Sequence, residues 1–224
     1  MIKKFGIIGN PIKHSLSPVL HNYWFKKYKI EANYSIIDVK DETELPDIIA
    51  QIRNKEIGGI NVTLPYKQKI VSHVDIIVND AETTSSVNTV YLDSKETIIG
   101  ENTDVFGLQA AYLKEIDNAQ KKRALIIGAG GVSPSVVLSL QKSGVQKISI
   151  TNRTREKCIF LKNKFKNLKI VEWEKLQEEI KNFDIIINAT SLGLKGSKDF
   201  NFDFDAIKNN LIYIDTIYNP LETK

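Results

Sequence analysis

The stretch Leu125-Ile-Ile-Gly-Ala-Gly-Gly-Val-Ser133 is an apolar run that breaks into glycines, just past the middle of a 224-residue chain. A parallel strand that ends in Gly128-Ala129-Gly130-Gly131 and opens a helix lays backbone N–H groups against a phosphate. The glycines permit the tight turn and the close approach of the main chain to a pyrophosphate. The third position of the usual pattern is Ser133, followed by Pro134. Ser at an N-cap and Pro at the first helical position are compatible with a helix start. An ordinary strand–turn–helix without ligand would look the same locally. The order of strand, loop, helix and second strand favours dinucleotide binding.

The next strand, Lys147-Ile-Ser-Ile-Thr151, ends in Asn152-Arg153-Thr154, with Lys157 one helical turn beyond. A chain built for NAD usually carries Asp or Glu roughly 20 residues after the loop, to hold the ribose 2′-hydroxyl. Neutral and cationic residues stand there instead. They predict a 2′-phosphate pocket, and therefore NADP.

The length allows one large domain or two of roughly 100 residues each. Apolar content is 42%, enough for a sizeable core. The formal charge of +4 is scattered. Runs such as Lys121-Lys-Arg123 and Lys162-Asn-Lys-Phe-Lys166 read as solvated surface, not as a nucleic-acid patch. A modest positive bias suits anionic substrates and cofactors. The single cysteine, Cys158, excludes an intramolecular disulfide, and its helical position suggests packing. The N-terminus leads directly into a strand, and no apolar run is long enough to span a bilayer. The expectation is a soluble cytoplasmic protein without metal, nucleic-acid or membrane partner, either monomer or homodimer.

Strand and helix alternate along the chain. Strands are predicted over 4–8, 34–39, 59–62, 87–92 and 97–100, the last two flanking a turn at Asp93-Ser-Lys95. Helices are predicted over 18–27, with Ser17 as cap and Pro18 at the first position, and over 44–53. Weaker helical pieces are expected near 66–71 and 75–79, and a helix over 105–116. The second unit has strands over 123–127, 147–151, 168–171, 185–188 and 211–215. The alternation implies parallel sheets covered on both faces. The fold class is α/β with two domains: an N-terminal substrate domain, 1–104, and a Rossmann-type doubly wound parallel-sheet NADP domain, 105–224. The active site is expected in the cleft between them.

The first half carries four polar clusters at or near strand ends: Gly9-Asn-Pro-Ile-Lys-His-Ser-Leu-Ser-Pro18, Asn61-Val-Thr-Leu-Pro-Tyr-Lys67, Ser86-Val-Asn-Thr89 and Gly100-Glu-Asn-Thr-Asp104. In α/β sheets ligands bind beyond the carboxyl ends of strands. These residue types also build ordinary turns. Their recurrence in one half of a dinucleotide-binding chain favours a site for a small polyhydroxylated acid. Ser15 and Ser17 suit a carboxylate, Thr63 and Asn88 ring hydroxyls. Hydride transfer to a ketone builds negative charge on oxygen. An ammonium beside a carboxylate supplies both proton and cation.

Taken together, Gly9-x-Pro-x-x-His-Ser-x-Ser-Pro-x-x-His-Asn22, Asn-Val-Thr-x-Pro-x-Lys67, Val-Asn-Thr89 and Asn-Thr-Asp104 resemble the substrate motifs of the shikimate dehydrogenase family. Gly-Ala-Gly-Gly131, Asn-Arg-Thr154, Asn-Ala-Thr-Ser191 and Asp215-x-x-Tyr-Asn-Pro-Leu-Glu-Thr223 resemble its cofactor-domain motifs. The resemblance implies NADPH-dependent reduction of 3-dehydroshikimate to shikimate, on the route to aromatic amino acids. It implies Lys67 as the main catalytic group with Asp104 as partner. Ser15, Ser17 and Tyr218 would hold the substrate carboxylate, and Thr63, Asn88 and Asp104 the ring hydroxyls. Gly128, Ala129, Gly130, Gly131, Asn152, Arg153, Thr154 and Lys157 would hold NADPH, with Asn188, Ala189, Thr190 and Ser191 lining the nicotinamide side. His14 and His21 would shape the loop and helix.

The resemblance also implies further helices beyond Thr223, packed on the substrate domain, and a glutamine touching substrate. The sequence runs to Lys224, so a truncated form, or a site working without that glutamine, is expected. Helix 18–27 carries Val19, Leu20, Tyr23, Trp24 and Phe25, more apolar surface than one buried face requires, and marginal stability and a tendency to associate are expected. Two other readings remain: a quinate-type dehydrogenase using the same lysine, and a non-catalytic NADP- or shikimate-binding module.

Overall fold

The computed structural model describes residues 2–194, 203, 207–218 and 220. Asn219 and Leu221-Glu-Thr223 of the last motif lie outside the described residues. The chain divides into two compact units, Met1–Thr103 and Asp104–Lys224.

The first unit contains, in order, β1 (Lys3–Ile8), α1 (Ser17–Lys27), β2 (Ala32–Ile36), α2 (Leu45–Arg53), β3 (Gly59–Val62), β4 (Ile76–Ile77), α3 (Asp80–Thr84), β5 (Thr89–Leu92) and β6 (Ile98–Glu101). Its sheet has the order β2-β1-β3-β5-β6-β4. β1 runs parallel to β2 and β3, but β5 is antiparallel to both β3 and β6. The sheet is therefore mixed, which corrects the all-parallel expectation. The cause is the short link between β5 and β6. Asp93 Oδ1 accepts the N–H groups of Lys95 and Thr97, each at 2.8 Å, and closes a hairpin. A parallel pair would need a crossover of about a dozen residues.

The helix expected over 75–79 is replaced by β4. Ile76 and Ile77 pair with Ile99 and Gly100 of β6. The Asp75 carboxylate anchors the strand start, accepting from Ile98 N–H at 2.8 Å and from the Arg53 guanidinium at 2.8 and 3.0 Å. Adjacent β-branched residues suit a sheet better than one helical turn.

α2 packs as its spacing predicts: Leu45, Ile48, Ile49 and Ile52 are buried with Ile60, Val62, Val90 and Ile98. α1 differs, with no fully buried residue. Phe25 packs partly on Ile7, Ile12 and Tyr34, while Val19, Leu20, Tyr23 and Trp24 remain exposed. The cap assignment also needs correction. Ser17 is the first helical residue, and Ser15 Oγ accepts its N–H at 3.3 Å.

In the second unit α4 (Asp104–Leu108) continues into a π-helical turn, Gln109–Leu113. There follow β7 (Arg123–Ile127), α5 (Ser133–Lys142), β8 (Lys147–Thr151), α6 (Arg155–Lys164), β9 (Leu168–Ile170), α7 (Leu176–Glu179), β10 (Ile185–Asn188) and β11 (Ile212–Asp215). The order is β11-β10-β7-β8-β9, with every neighbouring pair parallel. Ala124, Ile126, Ile148, Ile150, Ile185 and Ile187 face one core, with Val136, Leu140, Cys158 and Leu161 from α5 and α6. Leu125, Ile127 and Ile186 face the other, with Leu176, Ile180 and Phe183. Burial on both faces explains why β7 and β10 read as nearly unbroken apolar runs, whereas β8 alternates as Lys147-Ile-Ser-Ile-Thr151. Each such side chain contributes about 1.5–3 kcal/mol. Burial pushes the Cys158 thiol up to about 11, which suits a packing role. Among the described residues, no helix is long and apolar enough to cross a membrane, and no His/Cys/Asp/Glu group could hold a metal ion.

Candidate active site

In the first unit the polar clusters are joined by main-chain bonds at the carboxyl ends of β1 and β3. Asn10 N–H donates to Leu64 O at 2.9 Å and Thr63 N–H to Ile8 O at 2.9 Å. Only glycine fits at position 9, because a Cβ there would lie 2.5 Å from Thr63 Cγ2. Val62 N–H donates to Asn88 O and Val87 N–H to Lys67 O, each at 2.8 Å. These bonds bring Thr63, Lys67 and Asn88 into one neighbourhood. Tyr66, 2% exposed, anchors the residue before the lysine, and its hydroxyl donates to Val39 O at 3.2 Å. Lys67 is partly buried on this pinned loop. Ser15 and Ser17 lie partly exposed at the start of α1, and Asp104 opens α4.

Some polar groups are already engaged. Asn88 Oδ1 accepts from Thr103 N–H at 3.0 Å, and its Nδ2 donates to Thr103 Oγ1 at 3.0 Å. Asn102 is buried and donates to Ser86 O at 2.7 Å. Both fix the segment leading into Asp104.

A network supports these loops in which sequence reasoning gives Asn22, Tyr34 and Asn61 no individual role, whereas His21 is expected to shape the loop and helix. Asn22 Nδ2 donates to Tyr34 O at 2.8 Å, and Tyr34 N–H donates back to Asn22 Oδ1 at 2.9 Å. The Tyr34 hydroxyl donates to Asn61 Oδ1 at 2.7 Å, and Asn61 Nδ2 to Asn88 O and Thr89 Oγ1, each at 3.2 Å. His21 stacks on Tyr34, with ring centroids 4.2 Å apart. Burial pushes the Tyr34 phenol well above its ordinary value and lowers the His21 imidazole. Asn22 and Asn61 lay within quoted motifs; Tyr34, in an ordinary strand, had no local signal.

In the second unit β7 breaks at Gly128, whose φ is +112°. A Cβ there would stand 2.7 Å from Ala189 O, so the turn requires glycine. Gly130 faces open space, with its nearest neighbour 4.0 Å from an added Cβ. Ser133 is not the N-cap, since α5 begins with it. Its Oγ accepts Gly130 N–H at 2.9 Å and donates to Gly128 O at 2.9 Å, holding the loop from inside. Asn152 Oδ1 accepts Ala129 N–H at 3.3 Å, joining the loop to the end of β8. Arg153, Thr154 and Lys157 are exposed beside it. Arg155 is committed elsewhere, to Glu172 at 2.9 and 3.0 Å. A glycine cradle next to exposed cations fits a phosphorylated dinucleotide.

Gly128→Ala is expected to lower the melting temperature by several degrees and weaken NADPH binding at least about tenfold, because it combines a left-handed backbone with a backbone clash. Thermal unfolding and fluorescence titration check this, and an unchanged melting temperature would refute it.

Among the described residues, Thr151 Oγ1 is the buried side-chain atom without a hydrogen-bond partner. An unsatisfied buried hydroxyl costs about 1–3 kcal/mol. Thr151→Val is therefore expected to raise the melting temperature by roughly 2–4 °C. A fall on thermal unfolding would contradict this.

At the end of β10, Asn188 is fully buried and spends its amide on Thr190, Leu192 and Asp215. Ala189, Thr190 and Ser191 follow as a loop. Tyr218, 54% exposed, stands three residues beyond β11.

A doubly wound unit with a glycine phosphate loop, in one chain with a unit of polar strand-end loops around a lysine, defines a dinucleotide-dependent oxidoreductase. The family model "Shikimate dehydrogenase substrate binding domain" matches residues 7–90, and "Shikimate / quinate 5-dehydrogenase" matches residues 111–195. The chain belongs to the shikimate dehydrogenase family. It is 45% identical to a shikimate dehydrogenase (NADP(+)) of Pelagibacter ubique, covering 100% of this chain and 82% of the relative. The crystal structure of shikimate dehydrogenase from Aquifex aeolicus aligns with a TM-score of 0.88 at 34% identity, covering 96% of this chain and 79% of that one. Shikimate 5-dehydrogenase from Thermus thermophilus, in complex with NADP(H) and shikimate, aligns at 0.84 and 29% identity, covering 97% and 80%.

Proposed function

We infer that the protein reduces 3-dehydroshikimate to shikimate, reversibly and with NADPH, in the biosynthesis of aromatic amino acids. The observation that carries this reading is the pinned Lys67 loop, with Thr63 and Asn88 bonded around it, in a chain that also has the glycine cradle and the Arg153–Lys157 cations. When bound, NADPH supplies a hydride for the ketone carbon. The Lys67 ammonium donates the proton to the ketone oxygen and offsets its developing charge. Asp104 orients Lys67 and accepts from a ring hydroxyl. Thr63 and Asn88 hold the other hydroxyls, and Ser15, Ser17 and Tyr218 hold the carboxylate.

Gly128–Gly131 and Asn152 receive the pyrophosphate and adenosine side. Arg153, Thr154 and Lys157 bind the 2′-phosphate, and residues 188–191 line the nicotinamide side. Residues 1–104 thus act as the substrate domain and 105–224 as the NADP domain. The reading includes a cytoplasmic enzyme, monomeric or homodimeric, without nucleic-acid or membrane partners.

An absorbance assay of NADPH oxidation with 3-dehydroshikimate, and of NADP reduction with shikimate and with quinate, tests the proposal. Turnover of shikimate well above quinate is the expected result. Preference for quinate would favour the second activity in the matching family's description. Cofactor binding without turnover would mark a non-catalytic module.

A further inference from the structure

The last residues of β10 and β11, Asn188 and Asp215, stand side by side in parallel register. Asn188 Oδ1 accepts from Thr190 N–H at 3.0 Å and from Thr190 Oγ1 at 2.7 Å. Its Nδ2 donates to Leu192 O at 3.2 Å and to Asp215 Oδ1 at 3.1 Å. The donors and acceptors of this buried amide are thus all used. On the other side, Asp215 Oδ1 also accepts Ile217 N–H at 2.9 Å. The Asn188 carbonyl takes the Thr216 hydroxyl at 2.8 Å and the Thr216 N–H at 3.2 Å. The Asn188 side-chain amide, its main-chain carbonyl and one Asp215 carboxylate oxygen therefore hold residues 190–192 and residues 216–217 together. Tyr218 follows at once, exposed on a backbone that these bonds anchor.

We propose that Asn188 and Asp215 are positioning residues: they set Tyr218 for the substrate carboxylate and tie it to the loop on the nicotinamide side. The inference rests on the reading that Tyr218 contacts that carboxylate. A hydrogen-bonded pair of a buried amide and a half-buried carboxylate restricts the backbone beside it, whereas an exposed tyrosine on a free loop samples many geometries. Asp215 Oδ1 makes both the Asn188 and the Ile217 contacts, so asparagine at 215 keeps an acceptor for these two bonds and alanine removes it.

The test is a double-mutant cycle on the full chain, with shikimate Kd measured calorimetrically without cofactor and thermal unfolding in parallel. Tyr218→Phe is expected to raise Kd about 10-fold or more, as loss of a hydrogen bond to a charged group does. Asp215→Ala is expected to raise it similarly, and the double variant no further. Asp215→Asn is expected to restore the wild-type Kd. Additive effects of Asp215→Ala and Tyr218→Phe would overturn the inference while leaving the role of Tyr218 intact. So would an Asp215→Ala variant with a lowered melting temperature and an unchanged Kd. A Tyr218→Phe variant with wild-type Kd would overturn the Tyr218 reading, and the inference with it.

Discussion

Lys67→Ala is expected to lower kcat for 3-dehydroshikimate by about 10²–10⁴-fold while shikimate affinity changes far less. The ammonium acts most strongly where charge develops, on the ketone oxygen in the transition state, and contributes little to holding the ground state. The fold makes the substitution clean. The Lys67 main chain is fixed by the bond from Val87 N–H to its carbonyl at 2.8 Å and by the buried Tyr66 beside it. Neither contact involves the lysine amine, so both remain when it is removed. Asp104→Asn provides the contrast. It is expected to damage kcat and KM together, because that carboxylate both orients the lysine and meets a ring hydroxyl. Steady-state kinetics with calorimetric shikimate binding separates the two patterns. A Lys67→Ala enzyme that keeps most of its turnover would remove this residue from the reaction.

The second large effect is on the cofactor. Arg153→Ala is expected to raise the NADPH KM by roughly 10- to 100-fold and to leave the NADH KM almost unchanged, because a charge-assisted bond to phosphate contributes about 1.5–3 kcal/mol. Arg153 is exposed just after β8, beside the neutral Asn152, and Lys157 is exposed in the first turn of α6. Truncating either side chain leaves the buried core intact, so the melting temperature should stay put. The NADPH preference should also weaken with rising ionic strength, since exposed charges are screened. Kinetics with both cofactors at low and high salt measure this. Equal use of NADPH and NADH by the unaltered protein would show that these cations face no 2′-phosphate.

The second unit was the more legible half. The bounds of β7, β8 and β10 lie where the sequence predicts them: β7 and β10, buried on both faces, carry apolar side chains at nearly every position, while β8 alternates Ile148 and Ile150 with Ser149 and Thr151. The glycine break was equally plain, since a φ of +112° with a carbonyl 2.7 Å from the missing Cβ tolerates no other residue. Capping was less legible. Ser17 and Ser133 both precede a proline, and both turned out to be first helical residues. A helix start shifts by one residue at little energetic cost, so composition alone does not locate it.

Residue pattern and spacing by themselves determined the α/β class, the order of strands and helices, the glycine loop, the cationic turn after β8 and the polar stretches around Lys67. Each of these is local, written within a few neighbouring residues as periodicity, turn chemistry or charge. Only the tertiary structure decided the mixed first sheet, the pairing of Ile76–Ile77 with β6, the Asn22–Tyr34–Asn61–Asn88 network and the Asn188–Asp215 pair. These depend on which strands become neighbours and in what register. That choice is made by burying apolar surface and satisfying polar groups across the whole unit, between residues far apart in the chain.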